Sequence, residues 1–286
     1  MEALLLHIVD AVCEPAGAVN EDCWGALDRA AWILDGATGL AEQRVLPGPS
    51  DALWFVQQVD RGLQVGAATV EEPAEILRPI VRRMQEEFAR AALRRDAPEV
   101  DLPGASFAMM RLRQGGVELC SLGDCRIVHR GAEGAVRCFG MSKVTALDDR
   151  LVEEVVRLQA AESLPHDEIW RRVLPMTRRH RGLRNLPEGY WTLDLTERGL
   201  DHIEIERLPA RDGAAFLLLS DGFYRLVDAY GRYSYDALLA AAEERGLALL
   251  YDELRAVEAA DPDCRRHPRL KPRDDATAVL VRLGGR

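Results

Sequence analysis

The sequence has no long apolar run and no excess of basic residues. No stretch approaches the roughly 20 apolar residues that a membrane-spanning helix needs, so a membrane span is not expected. The formal net charge of −10 at pH 7 argues against a general nucleic-acid-binding surface, which requires a basic face. This charge still permits a local basic site for a phosphate group. Residues 1–8 are apolar but lack a basic start, so we expect a first strand here and not a signal peptide.

Paired cysteines, repeats and linkers are also missing. None of the six cysteines belongs to a Cys-x-x-Cys pair, so a structural zinc site is not expected. Several cysteines lie in apolar runs, where a thiol behaves as a small hydrophobic group. This usage favours a reduced, cytoplasmic protein. Because no repeat, low-complexity tract or linker interrupts the 286 residues, we predict a single domain over residues 1–286.

Acidic residues stand at the ends of three predicted strands. An apolar run ends at Asp35 and a second ends at Asp221, and each of these aspartates is followed by a glycine. Asp274 comes just before a third apolar run. A single Asp-Gly pair is most often a plain turn. Three carboxylates at strand ends, far apart in sequence, can instead converge on one hard cation, and oxygen ligands suit magnesium or manganese.

Two further acidic motifs complete an ordered series. Asn20-Glu21-Asp22 lies before the first Asp-Gly pair, and a Gly-Asp-x-Arg motif with Asp124 lies in the middle of the chain. In this order, Asn-Glu-Asp, Asp-Gly, Gly-Asp-x-Arg, Ser-Asp-Gly and Asp-x-x-Thr resemble the motifs of the metal-dependent protein serine/threonine phosphatases. This is the type-2C or PPM family, here in its bacterial form. The resemblance runs from about residue 8 to residue 283 and rests on the ordered set, since no single motif is specific.

The pattern of elements predicts an α+β fold, because runs of strands alternate with pairs of helices and not in βαβ units. The resemblance implies two antiparallel β-sheets packed as a sandwich and flanked by helix pairs, an αββα arrangement. Strands are predicted at residues 4–32 (two strands), 107–112, 117–122, 126–129, 136–139, 190–195, 202–208, 214–219 and 277–283. Helices are predicted after Ser50, after Pro73, at 149–161 and at 238–259 with an interruption near Gly246.

The resemblance also implies a chemistry, which is the hydrolysis of phosphoserine and phosphothreonine by a metal-activated water molecule. It implies two Mn²⁺ or Mg²⁺ ions, with Asp35 bridging both and the backbone carbonyl of Gly36 contributing a ligand. Asp221 and Asp274 would bind one of the two ions. Asp124 is matched to the ligand of a third, weaker ion, with a plain hairpin turn as the alternative. The implied partner is a phosphorylated protein, the product of a serine/threonine kinase, and neither a nucleic acid nor a membrane.

Neighbouring acidic residues receive supporting roles by the same resemblance. Asp22 or Glu21 would hold the water molecules that bind the cations, a role whose loss commonly costs about 10- to 100-fold. Asp275 would take the place of an asparagine that usually follows the ligand aspartate. A shift by one residue, with Asp275 as the ligand in place of Asp274, is left open.

Two departures from the family pattern concern how phosphate is held. Many members carry a phosphate-binding arginine three residues before Asn-Glu-Asp, and this chain has Gly17 there. Ala37 stands where some eukaryotic members have a histidine acid. The basic cluster at residues 178–184 offers a replacement because arginine suits phosphate recognition, and we select Arg184. The alternative is a solvated loop paired with surface acids.

Two other functions are kept open. A regulatory or binding module could retain the fold without substantial turnover, and Gly17 favours this alternative. The retained acidic residues oppose it, because buried carboxylates are costly to keep together without a role. A metal-dependent phosphoesterase acting on a small molecule is the third possibility.

Overall fold

The computed structural model describes residues 4–40, 43–69, 71–113, 115–131, 134–141, 143–162 and 164–285. The strands are β1 (Leu5–Glu14), β2 (Asp22–Leu27), β3 (Ala30–Ala37), β4 (Gly104–Arg113), β5 (Gly116–Leu122), β6 (Arg126–Arg130), β7 (Val136–Phe139), β8 (Leu193–Asp194), β9 (Glu204–Pro209), β10 (Ala215–Leu219) and β11 (Ala276–Gly284). The helices are α1 (Asp51–Gly66), α2 (Pro73–Ala91), α3 (Lys143–Ala161), α4 (His166–Arg181), α5 (Asp221–Asp228), α6 (Tyr235–Arg245) and α7 (Leu247–Ala259). Within the described ranges, none of the helices has the length and apolarity that crossing a membrane requires.

The strands form two antiparallel sheets, which confirms the predicted α+β fold. The first sheet has the order β1-β11-β10-β6-β7, and the second has the order β2-β3-β4-β5-β9, with β8 paired to β4. Consecutive residues on one strand point to opposite faces of a sheet. The alternate residues of β3 therefore enter two different cores. Ile33 lies in the core between the sheets, and Trp32 and Leu34 lie in the core under α1 and α2, so both faces of the strand are buried. This double burial explains why the strand is an uninterrupted apolar run.

The first sheet is covered in the same way on its outer face. Phe216 and Leu218 of β10 lie in the core between the sheets, whereas Leu217 and Leu219 pack in a separate core with α5, α6 and α7. The sandwich is therefore flanked by helices on both outer faces, as the sequence implied. The predicted interruption near Gly246 is also confirmed, because α6 ends at residue 245 and α7 begins at residue 247.

A third helix pair, α3 and α4, forms a helical hairpin with its own small core. Five buried apolar residues from the two helices make this core: Leu151, Val155, Leu158, Ile169 and Val173. The sequence predicted only residues 149–161 of α3, and it predicted no helix at 166–181. Pro175 lies inside α4 and reads as a helix breaker in sequence, and only a narrow stripe of the helix is buried. The basic cluster accordingly begins in the last turn of α4, which ends at Arg181, and its remaining residues follow the helix.

Three smaller differences bear on the site. Helix α5 was not predicted, because Asp221 and Gly222 read as a turn. The predicted strand at 190–195 is reduced to the two residues of β8. The link at Gly123-Asp124 is not a hairpin turn, because β5 belongs to the second sheet and β6 to the first. That link crosses from one sheet to the other and brings Asp124 to the place where the two sheets meet.

Candidate functional site

A cavity of about 630 Å³ is lined by residues from both sheets and from the helical hairpin. It brings together every residue that the sequence assigned to a cation: Asp35, Gly36, Asp124, Asp221 and Asp274. Glu21 and Arg184 also line it. Asp22 does not line the cavity but is buried directly across from Asp35, its cross-strand partner in the β2–β3 pair. Asp35 and Asp274, which are 239 positions apart in sequence, thus share one space.

Asp35 and Asp221 come into contact because β3 and β10 end at the same place. Asp35 lies near the end of β3, and Asp221 is the first residue of α5, directly after β10. The backbone N–H of Asp221 donates to Oδ2 of Asp35 at 3.2 Å. Gly36 allows a close approach here, since a Cβ atom would lie only 2.3 Å from the carbonyl oxygen of Glu21.

Glu21 and Asp22 differ in how their carboxylates are held. Oε1 of Glu21 accepts hydrogen bonds from the hydroxyls of Thr38 and Ser50. Oδ2 of Asp22 is buried and has no hydrogen-bond partner among the described residues. Side-chain hydrogen bonds with Thr277 and Ser220 oppose the rise that burial causes in the pKa of Asp22.

Asp124 is fixed by the crossing between the sheets. Its Oδ1 accepts a hydrogen bond from the hydroxyl of Ser106, and its backbone N–H donates to Oγ of Ser106 at 3.2 Å. Gly123 has a φ of +100°, which few other residues tolerate. The alternative of a plain hairpin turn at Asp124 was therefore wrong, since the residue is buried and faces the other acids of the cavity.

The acidic residues raise one another's pKa values. Burial raises the pKa of Asp35 well above its ordinary value, and the negative charges of Asp221 and Asp22 add to the shift. Burial also raises the pKa of Asp22, and that of Asp124. Burial raises the pKa of Asp221 to about 6, with the charge of Asp274 as the next cause. Ionised carboxylates are thus crowded in a poorly hydrated space, and a bound cation would relieve the repulsion.

Asp274 is the exception, because two basic side chains, Arg225 and Lys271, already pair with its carboxylate. Nη2 of Arg225 lies 2.7 Å from Oδ2, and Nζ of Lys271 lies 3.0 Å from Oδ1. Burial alone would raise the pKa of Asp274, but Lys271 and Arg225 hold it below its ordinary value. Sequence analysis did not select either of these basic residues. Their only signal was spacing, since Arg225 comes four residues after Asp221 and Lys271 three residues before Asp274.

Asp275 has a different task from Asp274. Its two carboxylate oxygens accept hydrogen bonds from the backbone N–H groups of Ala16 and Glu21, at 2.7 and 2.6 Å. These bonds join the loop between β1 and β2 to the start of β11. The structure places Asp274, and not Asp275, on the cavity wall, so the choice left open in the sequence falls on Asp274.

Hard divalent cations fit this site by donor type. In the described part of the chain, no three His, Cys, Asp or Glu side chains already stand close enough together to hold a metal ion. The oxygen-only set of Asp35, Asp124 and Asp221 nevertheless matches the ligand preference of Mg²⁺ and Mn²⁺. Burial raises the pKa of each of these three carboxyl groups, and a nearby divalent cation would favour their ionised forms. The residues fit such ions, with Asp274 as the one carboxylate whose charge is already balanced.

Arg184 is engaged elsewhere. Nη1 donates to the carbonyl oxygen of Leu102 at 3.1 Å, and Nη2 donates to that of Glu99 at 2.6 Å. Nε lies 3.6 Å from Oδ2 of Asp194. The side chain lines the cavity but is 5% exposed, and its guanidinium holds backbone carbonyls. The structure does not support Arg184 as a phosphate-binding residue, because its donors already have partners.

The helical hairpin adds residues that sequence analysis did not select individually, although Arg181 belongs to the basic cluster at 178–184. Asp148 of α3 and Arg181 of α4 line the cavity, and so do apolar residues of α3 and α4 such as Leu151 and Trp170. Burial raises the pKa of Asp148 to about 7, with the charge of Asp124 as the next cause. The cavity therefore has an acidic side formed by the sheets and a partly apolar side formed by the hairpin. The sequence could not place these residues on the cavity wall, because α4 and its packing against α3 were not predicted.

Gly222 offers a test of how tightly the two acidic segments are packed. A Cβ atom at Gly222 would lie 1.8 Å from the carbonyl oxygen of Asp275, so Gly222→Ala must move backbone atoms. We expect the substitution to lower the free energy of unfolding by about 1–3 kcal/mol, as overpacking does. Urea denaturation measures this. Gly17→Ala is the control, because a Cβ atom there has no neighbour within 4 Å. Equal stability of the two variants would contradict the packing described.

The sequence matches the profile of the family described as Protein phosphatase 2C over residues 11–255. That range contains Asp22, Asp35, Asp124 and Asp221, and it ends before Asp274. No curated protein matches the sequence.

Three solved structures show the same fold at low identity. The Mycobacterium tuberculosis serine/threonine phosphatase PstP/Ppp aligns with a TM-score of 0.58 and 17% identity, over 98% of this chain and 99% of that one. PppA, a key regulatory component of T6SS in Pseudomonas aeruginosa, aligns with a TM-score of 0.57 and 15% identity, over 98% and 100%. The catalytic domain of the serine/threonine protein phosphatase PstP in complex with two manganese ions has a TM-score of 0.54 and 17% identity, over 99% and 100%.

Proposed function

The chain belongs to the protein phosphatase 2C family, and from this we propose that it is a divalent-cation-dependent phosphatase that hydrolyses phosphoserine and phosphothreonine in proteins. The observation that carries the proposal is the crowding of buried carboxylates in one cavity, with Asp35 repelled by Asp221 and Asp22. Such crowding is unfavourable unless positive charge enters the cavity. Divalent cations satisfy this need, and their positive charge in turn would attract a phosphate ester.

Asp35, Asp221 and Asp124 would hold the cations, with the carbonyl of Gly36 and the carboxylate of Asp274 completing the set. When bound, Mn²⁺ or Mg²⁺ would lower the pKa of a water molecule that attacks phosphorus, and would neutralise charge on the phosphate. We propose two ions and a third at Asp124. The two manganese ions of the PstP complex support the number two and the choice of metal.

Other residues of the chain orient and enclose the reaction. Glu21 is fixed by Thr38 and Ser50, so its carboxylate is positioned to accept hydrogen bonds from water molecules on the cations. Asp22 lies opposite Asp35 in the β2–β3 pair, and its negative charge raises the pKa of Asp35. The apolar residues of the helical hairpin reduce the water content of the cavity, which strengthens electrostatic interactions inside it. All six cysteines are free, which suits a reducing compartment, and we propose the cytoplasm and a substrate made by a serine/threonine kinase.

Removal and return of the cation test the proposal. We expect no hydrolysis of a phosphothreonine peptide or of an aryl phosphate in EDTA, and saturable recovery on addition of Mn²⁺ or Mg²⁺. Phosphate release, followed by a colorimetric assay, is the measurement. Full activity in EDTA would reject cation dependence. A clear preference for small phosphorylated metabolites over phosphopeptides would favour the small-molecule phosphoesterase.

One observation favours a regulatory module as the second candidate. Asp274 already pairs with Arg225 and Lys271, so one proposed ligand can stay neutralised without a metal ion. In that case Mn²⁺ would bind, as measured by calorimetry, but no phosphopeptide would be hydrolysed. Calorimetric titration of Mn²⁺ together with the phosphate-release assay separates the two candidates, because the first measures cation binding and the second measures turnover.

A further inference from the structure

The cavity is lined by five lysine and arginine side chains, and four of them are paired with a carboxylate. Arg225 and Lys271 contact Asp274. Arg184 lies 3.6 Å from Asp194 and donates to two carbonyls. Arg269 lies 2.7 Å from Asp261. The fifth is Arg181, whose guanidinium makes no hydrogen bond or ion pair with any residue that the structure describes.

Arg181 is placed so that its charge acts inside the cavity. It is the last residue of α4 and is partly buried on the cavity wall. Burial raises the pKa of both Asp148 and Tyr190, and the positive charge of Arg181 opposes the rise at each. Both of these residues line the same cavity. The guanidinium of Arg181 is therefore close to the enclosed space and, among the described residues, has no hydrogen-bond or ion-pair partner.

We propose that Arg181 binds the phosphate group of the substrate, as the replacement for the arginine that is missing at position 17. The inference rests on the proposed function, since it deepens the same site. A guanidinium presents paired N–H donors that match two phosphate oxygens. The acidic side of the cavity attracts cations and repels a phosphate dianion, whereas Arg181 supplies an uncompensated positive charge on the hairpin side. A phosphate ester is then held between Arg181 and the cations.

The test compares substitutions on one helix. Arg181→Ala is the main variant, Arg181→Lys keeps the charge without the paired donors, and Arg179→Ala is the matched control because Arg179 is exposed and does not line the cavity. The probes are inorganic phosphate, whose binding to the Mn²⁺-loaded protein is measured by calorimetry, and a phosphothreonine peptide, whose kcat/KM is measured. Thermal unfolding of each variant checks that the fold is retained.

We expect Arg181→Ala to weaken phosphate binding and to lower kcat/KM by about 10- to 150-fold, the effect of losing a charge-assisted hydrogen bond. Arg181→Lys should fall between this variant and the wild type. Arg179→Ala should stay within about twofold, as expected for a solvated charge. Phosphate binding and kcat/KM that are unchanged in Arg181→Ala would overturn the inference.

Two further outcomes separate this inference from the proposed function and from a role of Arg181 that only balances the charge of Asp148. If the wild type hydrolyses no phosphate ester, the proposed function fails, but loss of inorganic phosphate binding in Arg181→Ala would still support the anion site. If Arg181 only offsets the charge of Asp148, then adding Asp148→Asn to Arg181→Ala should restore phosphate binding. We expect no such restoration, and full rescue by the double variant would overturn the role proposed for Arg181.

Discussion

Replacement of Asp35 by asparagine is expected to remove cation-dependent activity and at the same time to stabilise the cation-free protein. The activity should fall by more than about 100-fold, because even residues that only orient a metal ligand commonly contribute 10- to 100-fold. Loss of a carboxylate weakens cation binding directly. The measurements are phosphate release with saturating Mn²⁺ and calorimetric titration of Mn²⁺.

The stability change follows from the pKa of Asp35, which burial and the nearby carboxylates raise well above its ordinary value. Above the ordinary aspartate pKa of about 4, the unfolded chain has lost this proton while the folded protein still retains it or carries an unfavourable charge. Folding stability therefore falls as pH rises through this range. Asparagine does not titrate, so Asp35→Asn should be the more stable protein at pH 8 in EDTA.

The pH dependence gives this prediction its control. The stability advantage of Asp35→Asn should shrink as pH falls toward the ordinary aspartate pKa, because Asp35 is then neutral in both states. Asp263→Asn, at an exposed position outside the cavity, should change neither stability nor activity. Wild-type turnover in Asp35→Asn would remove Asp35 from the proposed cation site. A less stable Asp35→Asn protein at pH 8 in EDTA would contradict the electrostatic repulsion.

Arg184→Ala is expected to damage the fold and not the affinity for phosphate. The substitution leaves the carbonyls of Leu102 and Glu99 and the carboxylate of Asp194 without their partner. Breaking a buried charged contact costs about 3–5 kcal/mol, which is a large part of the 5–15 kcal/mol typical of a folded protein. Urea denaturation should show this loss. Inorganic phosphate should bind the protein that remains folded at low temperature as it binds the wild type.

Arg181→Ala is the opposite case and serves as the matched control. The two arginines are three residues apart in one basic cluster, but Arg181 has no partner to lose within the described chain, so its substitution should leave stability within about 1 kcal/mol of the wild type. A stable Arg184→Ala protein with weakened phosphate binding would reverse the two assignments. The pair of variants thus distinguishes a structural guanidinium from a ligand-binding one.

The sequence was sufficient to predict the sandwich and the residues of its acidic cavity. Strands such as β3 and β10 are buried on both faces, so they appear as uninterrupted apolar runs whose ends are easily located. A carboxylate at such an end is fixed in space by the strand itself. This is why Asp35, Asp221 and Asp274 could be assigned to one cleft before the structure was known. The cation-binding roles given to them stay predictions.

The basic side of the cavity could not be predicted, because it depends on tertiary contacts. Helix α4 buries only a narrow stripe and contains Pro175, which reads as a helix breaker in the sequence. The direction of each guanidinium is set by contacts far away in the chain, as with Arg184 and the carbonyl of Glu99, 85 residues apart. Spacing alone cannot show which of several neighbouring arginines is used in this way.

The bonds from Asp275 to the β1–β2 loop have a consequence for the newly made chain. They join residues 259 and 254 positions apart in sequence, and β11 lies between β1 and β10 in the first sheet. During synthesis, β1 and β10 therefore each have one unpaired edge until residues 276–284, which form β11, leave the ribosome. Unpaired strand edges invite association with other chains. A nascent chain that has not yet released residues 276–284 therefore exposes unpaired edges of β1 and β10, and it lacks the strand that follows Asp274 at the acidic cavity.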